Sequence, residues 1–171
     1  YLAMKGALEM SNLLPEQIDY INLHGTGTQN NDIAEGTAIK RLFEPHYPKM
    51  SSTKSYTGHT LGACGGIEAV FSILSINHGI IYPTLNINEP IKDLPFSAEN
   101  KISKNIEINN AVRCTSNRRI IISDGNFFGN KNPHFFKVRV QTLMDSMSII
   151  KDSIRLRSKR GCYFGWHYYP Y

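Results

Sequence analysis

Cysteine is scarce and poorly placed for cross-linking. The 171 residues hold three, Cys64, Cys114 and Cys162, widely spaced and odd in number. That argues against a disulfide framework and against a CxxC metal site, and it fits a reducing compartment. Long apolar runs are also missing: none approaches the roughly 20 residues a membrane span needs. The start, YLAMKGALEM, lacks the charged, apolar and cleavage regions of a secretory signal in their required order. The expected location is the cytoplasm, with no membrane partner. The chain does not begin with methionine, and it is expected to be an excised or incomplete part of a longer one. Charge of one sign is in short supply over the first two thirds, where Lys and Arg nearly balance Asp and Glu. Most of the formal excess of +5 sits after Val112, in NRR, KVRV and IRLRSKR.

What is present describes an ordinary globular protein, 41% hydrophobic and 19% charged, of a length that favours one core. Residues 2 to 11 place apolar side chains at roughly helical spacing, and LLPEQ ends that helix. IDYINLH (18–24) alternates and then turns apolar, as a buried strand does. The glycine-rich GTGTQ follows, and Asn31 or Asp32 can cap a helix through IAEGTAIKRLF. KMSSTKS is short and extended. The most apolar helix runs from Gly62 to about Asn77 and stops at His78-Gly79. IIYPTLNI (80–87) is extended, with Pro83 marking an edge or a bulge. IEINNAV and RRIIIS read as two more strands. Strands alternating with helices imply an α/β layer with partly parallel pairing. Beyond Pro133 the pattern degrades: VRVQTLMDSMSIIKDSIRLRSKR reads as one amphipathic helix, and GCYFGWHYYPY has no period.

Two histidines carry the chemistry. His24 opens HGTGT, where a strand ends and a glycine turn begins, which is where α/β folds place functional groups. Thr26 and Thr28 add hydroxyls able to bond an amide or a phosphate. Taken alone, this motif reads better as a capped turn with a structurally satisfied histidine. His59 in GHTLGACGG precedes a helix, whose N-terminal amides and dipole suit an anion or a developing oxyanion. A neutral imidazole donating through one nitrogen belongs in that field. Lys54 has a partner in Glu68 on the second turn of the same helix. A buried pair of this kind needs both members, because stranding one costs roughly 3–5 kcal/mol. No third His, Asp or Cys falls at ligand spacing, so a metal is not expected. HGTGTQNND is not the GxGxxG of a dinucleotide loop either.

INLHGTGTQNNDIAEGTAIKRLF, SSTKSYTGHTLGACGGIEAVFSILS and IIYPTLNINEP, in this order and separation, closely resemble the C-terminal half of β-ketoacyl-[acyl-carrier-protein] synthases. These are condensing enzymes of the layered αβαβα thiolase-like fold. The match runs from about Leu8 to Asn110, within a domain expected over 1–132, a βαβαβ-type unit; residues 133–171 form a basic, aromatic tail. The resemblance implies a decarboxylative Claisen condensation, in which the carbanion from malonyl-acyl carrier protein attacks an acyl group held on a cysteine. His24 and His59 would hold the malonyl thioester carbonyl as it becomes an enolate, an oxyanion-hole task. Thr26 and Thr28 would meet the phosphopantetheine arm, which arrives on the carrier protein, so no resident cofactor is implied. Lys54 and Glu68 would support His59, and Asp32 and Glu35 would be structural. Homodimers or heterodimers are the family's habit.

Two departures qualify the match. The family's nucleophilic cysteine lies upstream of HGTGT, outside these residues, and Cys64 falls where the family has alanine, as a buried small hydrophobe. The closing NSFGFGG is absent. CTSN (114–117) arrives on schedule, but RRIIISDG follows it: either the strand carries an insertion or, as the irregular tail favours, the sequence leaves the family near Asn117 as a frameshift would make it do. A later SDGNFFGNKN offers Phe128 as a candidate gate. The leading expectation is therefore a synthase fragment that forms no acyl-enzyme by itself. The alternative is a non-catalytic, chain-length-factor type subunit acting beside a catalytic partner. A nucleic-acid binder ranks last, since the basic tail carries no accompanying signature.

Overall fold

The chain, a computed structural model, is described at residues 1–114, 118–124, 135–142 and 153–157. Its centre is three short parallel strands, β1 (Tyr20–Asn22), β2 (Lys49–Ser51) and β3 (Asn110–Cys114), with β1 in the middle. Register sorts their side chains onto two faces. Ile21, Met50 and Val112 align on one face and Asn22, Ser51 and Arg113 on the other.

The first face is apolar and takes two helices. α1 (Leu2–Ser11) buries Ala3, Met4, Ala7 and Leu8, and ends on Asn12 in the left-handed region, whose amide returns to the last turn. α2 (Gln29–Phe43) buries Glu35, Gly36, Ile39 and Phe43, a stripe at helical spacing. Together with Ile21, Met50 and Val112 these helices close the main core. α2 begins earlier than the sequence suggests, with Thr28 rather than Asn31 or Asp32 at its cap position and no side-chain cap bond.

The second face is polar and takes a short helix, α3 (Lys54–Thr57), and then α4 (Cys64–His78), which stops at Gly79 in the left-handed region. α4 packs through Cys64, Glu68, Ser72 and Ser75 and turns much of its apolar surface outward. Val70 is 55% exposed, and Leu61, in the turn before the helix, is 79% exposed. The segment expected to be extended at 80–87 contributes one isolated bridge, Ile81 with Ser103, because Thr84 N–H leaves that line for Glu99 O.

Past β3 the sheet continues antiparallel through β4 (Arg118–Asp124), β5 (Phe135–Thr142) and β6 (Ser153–Arg157). The single amphipathic helix expected over 138–160 is therefore corrected to two strands in part of that span. FFKVRVQT and SIRLR alternate with period two and are rich in branched residues, which suits a strand better than a helix. Both strands lie beyond the boundary expected at residue 132 and extend the same sheet.

Two outcomes follow from this packing. An outward apolar surface of this kind calls for a cover. The chain alone is therefore expected to self-associate in gel filtration, and Val70→Asp combined with Leu61→Glu to reduce that association; a sharp monomer peak for the unmodified chain would contradict this. Burial also holds the Tyr20 phenol well above the usual tyrosine range, against the bond from Ser51 and alongside a smaller push from Glu68. The unfolded phenol ionises near about 10 while the folded one does not. Tyr20 therefore contributes full stability below that pH and loses it as pH climbs further. Urea midpoints measured from pH 9 to 11.5 should fall more steeply for the wild type than for Tyr20→Phe.

Candidate functional site

The parallel strands deliver their C-terminal ends to one edge, and the site is built there. β1 runs into His24, and Gly25 turns the chain with φ +41. A Cβ at Gly25 would also lie 2.6 Å from the Ser52 Cβ, closer than two carbons can pack, so the turn admits only glycine. Glu35 reaches back from α2 to accept His24 N–H at 2.9 Å and Gly25 N–H at 3.0 Å, one carboxylate oxygen to each. Ser52 donates to Gly25 O at 3.0 Å. The turn carrying His24 is thus held from both sides. Asp32, in the first turn of α2, accepts from Asn31 and sits near the positive helix end.

Beneath the turn lies a buried charge cluster. Lys54, at the start of α3, donates to Glu68 Oε1 and lies 3.1 Å from His24 Nδ1. Glu68 Oε1 also accepts from Cys64 Sγ at 3.3 Å, and Oε2 faces Arg113 Nη1 at 3.3 Å. Lys54, Glu68 and Arg113 are all at least nine-tenths buried. Asn22 ties the helix to β1 by donating to Glu68 O at 3.2 Å, while accepting from Thr53. The Lys54–Glu68 pair is the one the sequence suggests, but its support goes elsewhere. The ammonium meets His24 rather than His59, because α3 aims Lys54 back under the end of β1 whereas Gly58 carries His59 outward.

His59 is exposed, and its Nδ1 accepts from Leu61 N–H at 3.1 Å. An ammonium has only donors to offer, so His24 Nδ1 is likewise an acceptor. In a neutral imidazole, an accepting Nδ1 leaves the proton on Nε2. The rings lie 5.3 Å apart, edge to face. The contact brings together a ring that follows β1 and a ring that follows α3.

Thr26, half-buried, and Thr28, exposed, stand on the outer lip with their hydroxyls 2.8 Å apart in a mutual hydrogen bond. A cavity of about 430 Å³ lies behind the turn, between α2, the strand ends and residues 84–98. Gly25, Asp32, Glu35 and Ser52 line it, and neither imidazole does. Phe128 lies outside the described residues. Cys64 and Cys114 are buried thiols. Cys64 is buried as expected, and its thiol also bonds the Glu68 carboxylate. Among the described residues no group of His, Cys, Asp and Glu is arranged to hold a metal ion, and no helix is long and apolar enough to cross a membrane. Sequence reasoning missed Asn22 and Arg113. Their signal was a polar residue inside an otherwise apolar strand, YIN and AVRC.

Residues 1–88 match the family described as "Beta-ketoacyl synthase, C-terminal domain", and the chain belongs to that family. It is 50% identical over 93 residues to the mitochondrial 3-oxoacyl-[acyl-carrier-protein] synthase of Arabidopsis thaliana, covering 52% of this chain and 20% of that protein. Among solved structures it resembles the ishigamide ketosynthase/chain length factor, with TM-score 0.61 and 32% identity over 64% of this chain and 27% of the other. It also resembles a type II polyketide ketosynthase solved in complex with its acyl-carrier protein, with TM-score 0.60, 32% identity and coverage of 64% and 28%. These neighbours share the thiolase-like fold, of which the chain forms a partial α/β unit. The chain spans between 20% and 28% of the length of the first curated relatives.

Glu68 answers two cations, so removing its carboxylate takes a buried counter-charge from both. Glu68→Ala is expected to cost about 3–5 kcal/mol of stability, read as a fall in the urea midpoint at fixed protein concentration. A change within experimental error would mean that the cluster is not closed to water.

Proposed function

We propose that these residues form the decarboxylation side of a β-ketoacyl-[acyl-carrier-protein] synthase, with the nucleophilic cysteine supplied by a part of the protein outside them. The carrying observation is the pair of Nε2–H donors at His24 and His59. A malonyl thioester placed with its carbonyl oxygen between the two rings is primed to lose CO₂. The C–CO₂ bond breaks and its electron pair moves toward the carbonyl, giving an enolate whose oxygen both imidazoles hold. The enolate carbon then attacks the acyl thioester on the cysteine, a C–C bond forms, and the cysteine leaves as thiolate. Neither histidine gives up its proton in this scheme. His24 remains a donor because Lys54 occupies Nδ1, and His59 because the Leu61 amide does.

Thr26 and Thr28, on the outer lip, are assigned to the phosphopantetheine arm. Asp32 and Glu35 hold the turn. The carrier protein brings the arm, so the reading needs no resident cofactor and no metal. Its partners are acyl carrier protein, malonyl and acyl thioesters, and a second synthase subunit. Cys64 is not assigned a nucleophilic role, since it is buried with its thiol turned to Glu68.

A second reading, a chain-length-factor type subunit, draws on the likeness to a ketosynthase/chain length factor. The remainder of the reading frame separates the two: the first requires a cysteine on a strand-to-helix turn upstream, and the second requires its loss.

Two measurements test the leading reading. The 171-residue chain incubated with an acyl thioester should show no covalent acylation by mass spectrometry. A chimaera of the Arabidopsis thaliana mitochondrial synthase carrying residues 18–88 of this chain should decarboxylate malonyl-acyl carrier protein. His24→Ala and His59→Ala in that chimaera should each lower kcat by roughly 10²–10³. Unchanged turnover in both variants would remove the two-donor reading.

A further inference from the structure

Arg113 is the least expected member of the buried cluster. It sits on β3 in register with Asn22, faces α4, and is 2% exposed. Its guanidinium fits only because residue 65 is glycine: a Cβ at Gly65 would lie 2.5 Å from Nη1 and 3.1 Å from Cζ. On the other side its Nη1 reaches Glu68 Oε2 at 3.3 Å. The Glu68 carboxylate is thus filled from two directions, with Arg113 at Oε2 and with Lys54 and Cys64 at Oε1.

That division bears on His24. A carboxylate engaged through one oxygen leaves the Lys54 ammonium with N–H groups to spare, and one of them lies against His24 Nδ1. Without the arginine, Oε2 becomes a bare buried acceptor, which a protein interior does not tolerate cheaply. The nearest remedy is for the carboxylate to turn and take Lys54 with both oxygens, drawing Nζ away from the imidazole. The His24 ring could then exchange its proton between its two nitrogens.

We propose that Arg113 is a positioning residue. Acting through Glu68 and Lys54, it keeps His24 in the Nε2–H form, and Gly65 is the space that admits it. The inference rests on the functional reading above for its purpose, but the ring itself can be read without any reaction.

Magic-angle-spinning NMR of the full 171-residue chain with ¹⁵N-labelled histidine provides that reading, in whatever state of association the chain adopts. Loss of signal in His24→Gln assigns the ring. The unmodified chain should show one acceptor-type and one N–H-type nitrogen for His24. In Arg113→Met and in Gly65→Ala the two signals should move toward each other, and Arg113→Lys should restore their separation at least in part. Gly65→Ala decides the matter if Arg113→Met does not fold, because alanine favours the helix it enters while displacing the guanidinium. Unchanged His24 signals in Gly65→Ala, or in a folded Arg113→Met, would overturn the proposal. A conserved tautomer response in a chain whose chimaera fails to decarboxylate malonyl-acyl carrier protein would instead defeat the functional reading and leave this one standing.

Discussion

A carboxylate sealed under a helix with a lysine on one side and an arginine on the other constrains nearly everything else in this protein. Taking such charges out of water costs several kcal/mol per ion unless each is met by a partner in good geometry. Glu68, Lys54 and Arg113 meet that condition only when α3, α4 and β3 are all in place. The face of the sheet they occupy is accordingly polar, with Asn22, Ser51 and Arg113 aligned across three strands. α4 in turn packs its small and polar side, Cys64, Glu68, Ser72 and Ser75, and leaves apolar surface outward. Ile76 and Phe71 of that helix still find apolar partners, in the cluster of Tyr20, Ile81, Ile108 and Ala111 and in Tyr82, whereas α1 and α2 share the larger core.

The turns at the strand ends follow a second logic, in which one group fixes another's backbone. Glu35 bonds two successive amides of the HGTGT turn, and Ser52 bonds a carbonyl of the same turn. Ser52 N–H in turn donates to Thr84 Oγ1, and Leu85 N–H to Ser55 Oγ, so the PTLN segment braces the loop between β2 and α4. Both imidazoles then receive a donor at Nδ1, one from a side chain and one from a backbone amide. Different local chemistry leaves the two rings in the same protonated form, which is what a shared oxygen would need.

Much of this was legible in the residues themselves. Helical spacing marked α1, α2 and α4 to within a few positions, and the glycine turns marked where the histidines stand. The Lys54–Glu68 pair was legible because two long charged side chains flank one helix start. Period two in FFKVRVQT and SIRLR was equally visible, but the amphipathic helical reading of the longer span outweighed it, and two strands resulted. The family's motifs stood in order, and the match over residues 1–88 agrees with them.

Local sequence thus determined the three long helices and the glycine turns on which the histidines stand, because spacing along a helix depends only on near neighbours. Tertiary structure alone decided which histidine Lys54 serves and that Arg113 shares its carboxylate. Those contacts join residues up to 45 positions apart. They depend on strand register and on the depth at which α4 sits over the sheet, neither of which is encoded within any single segment.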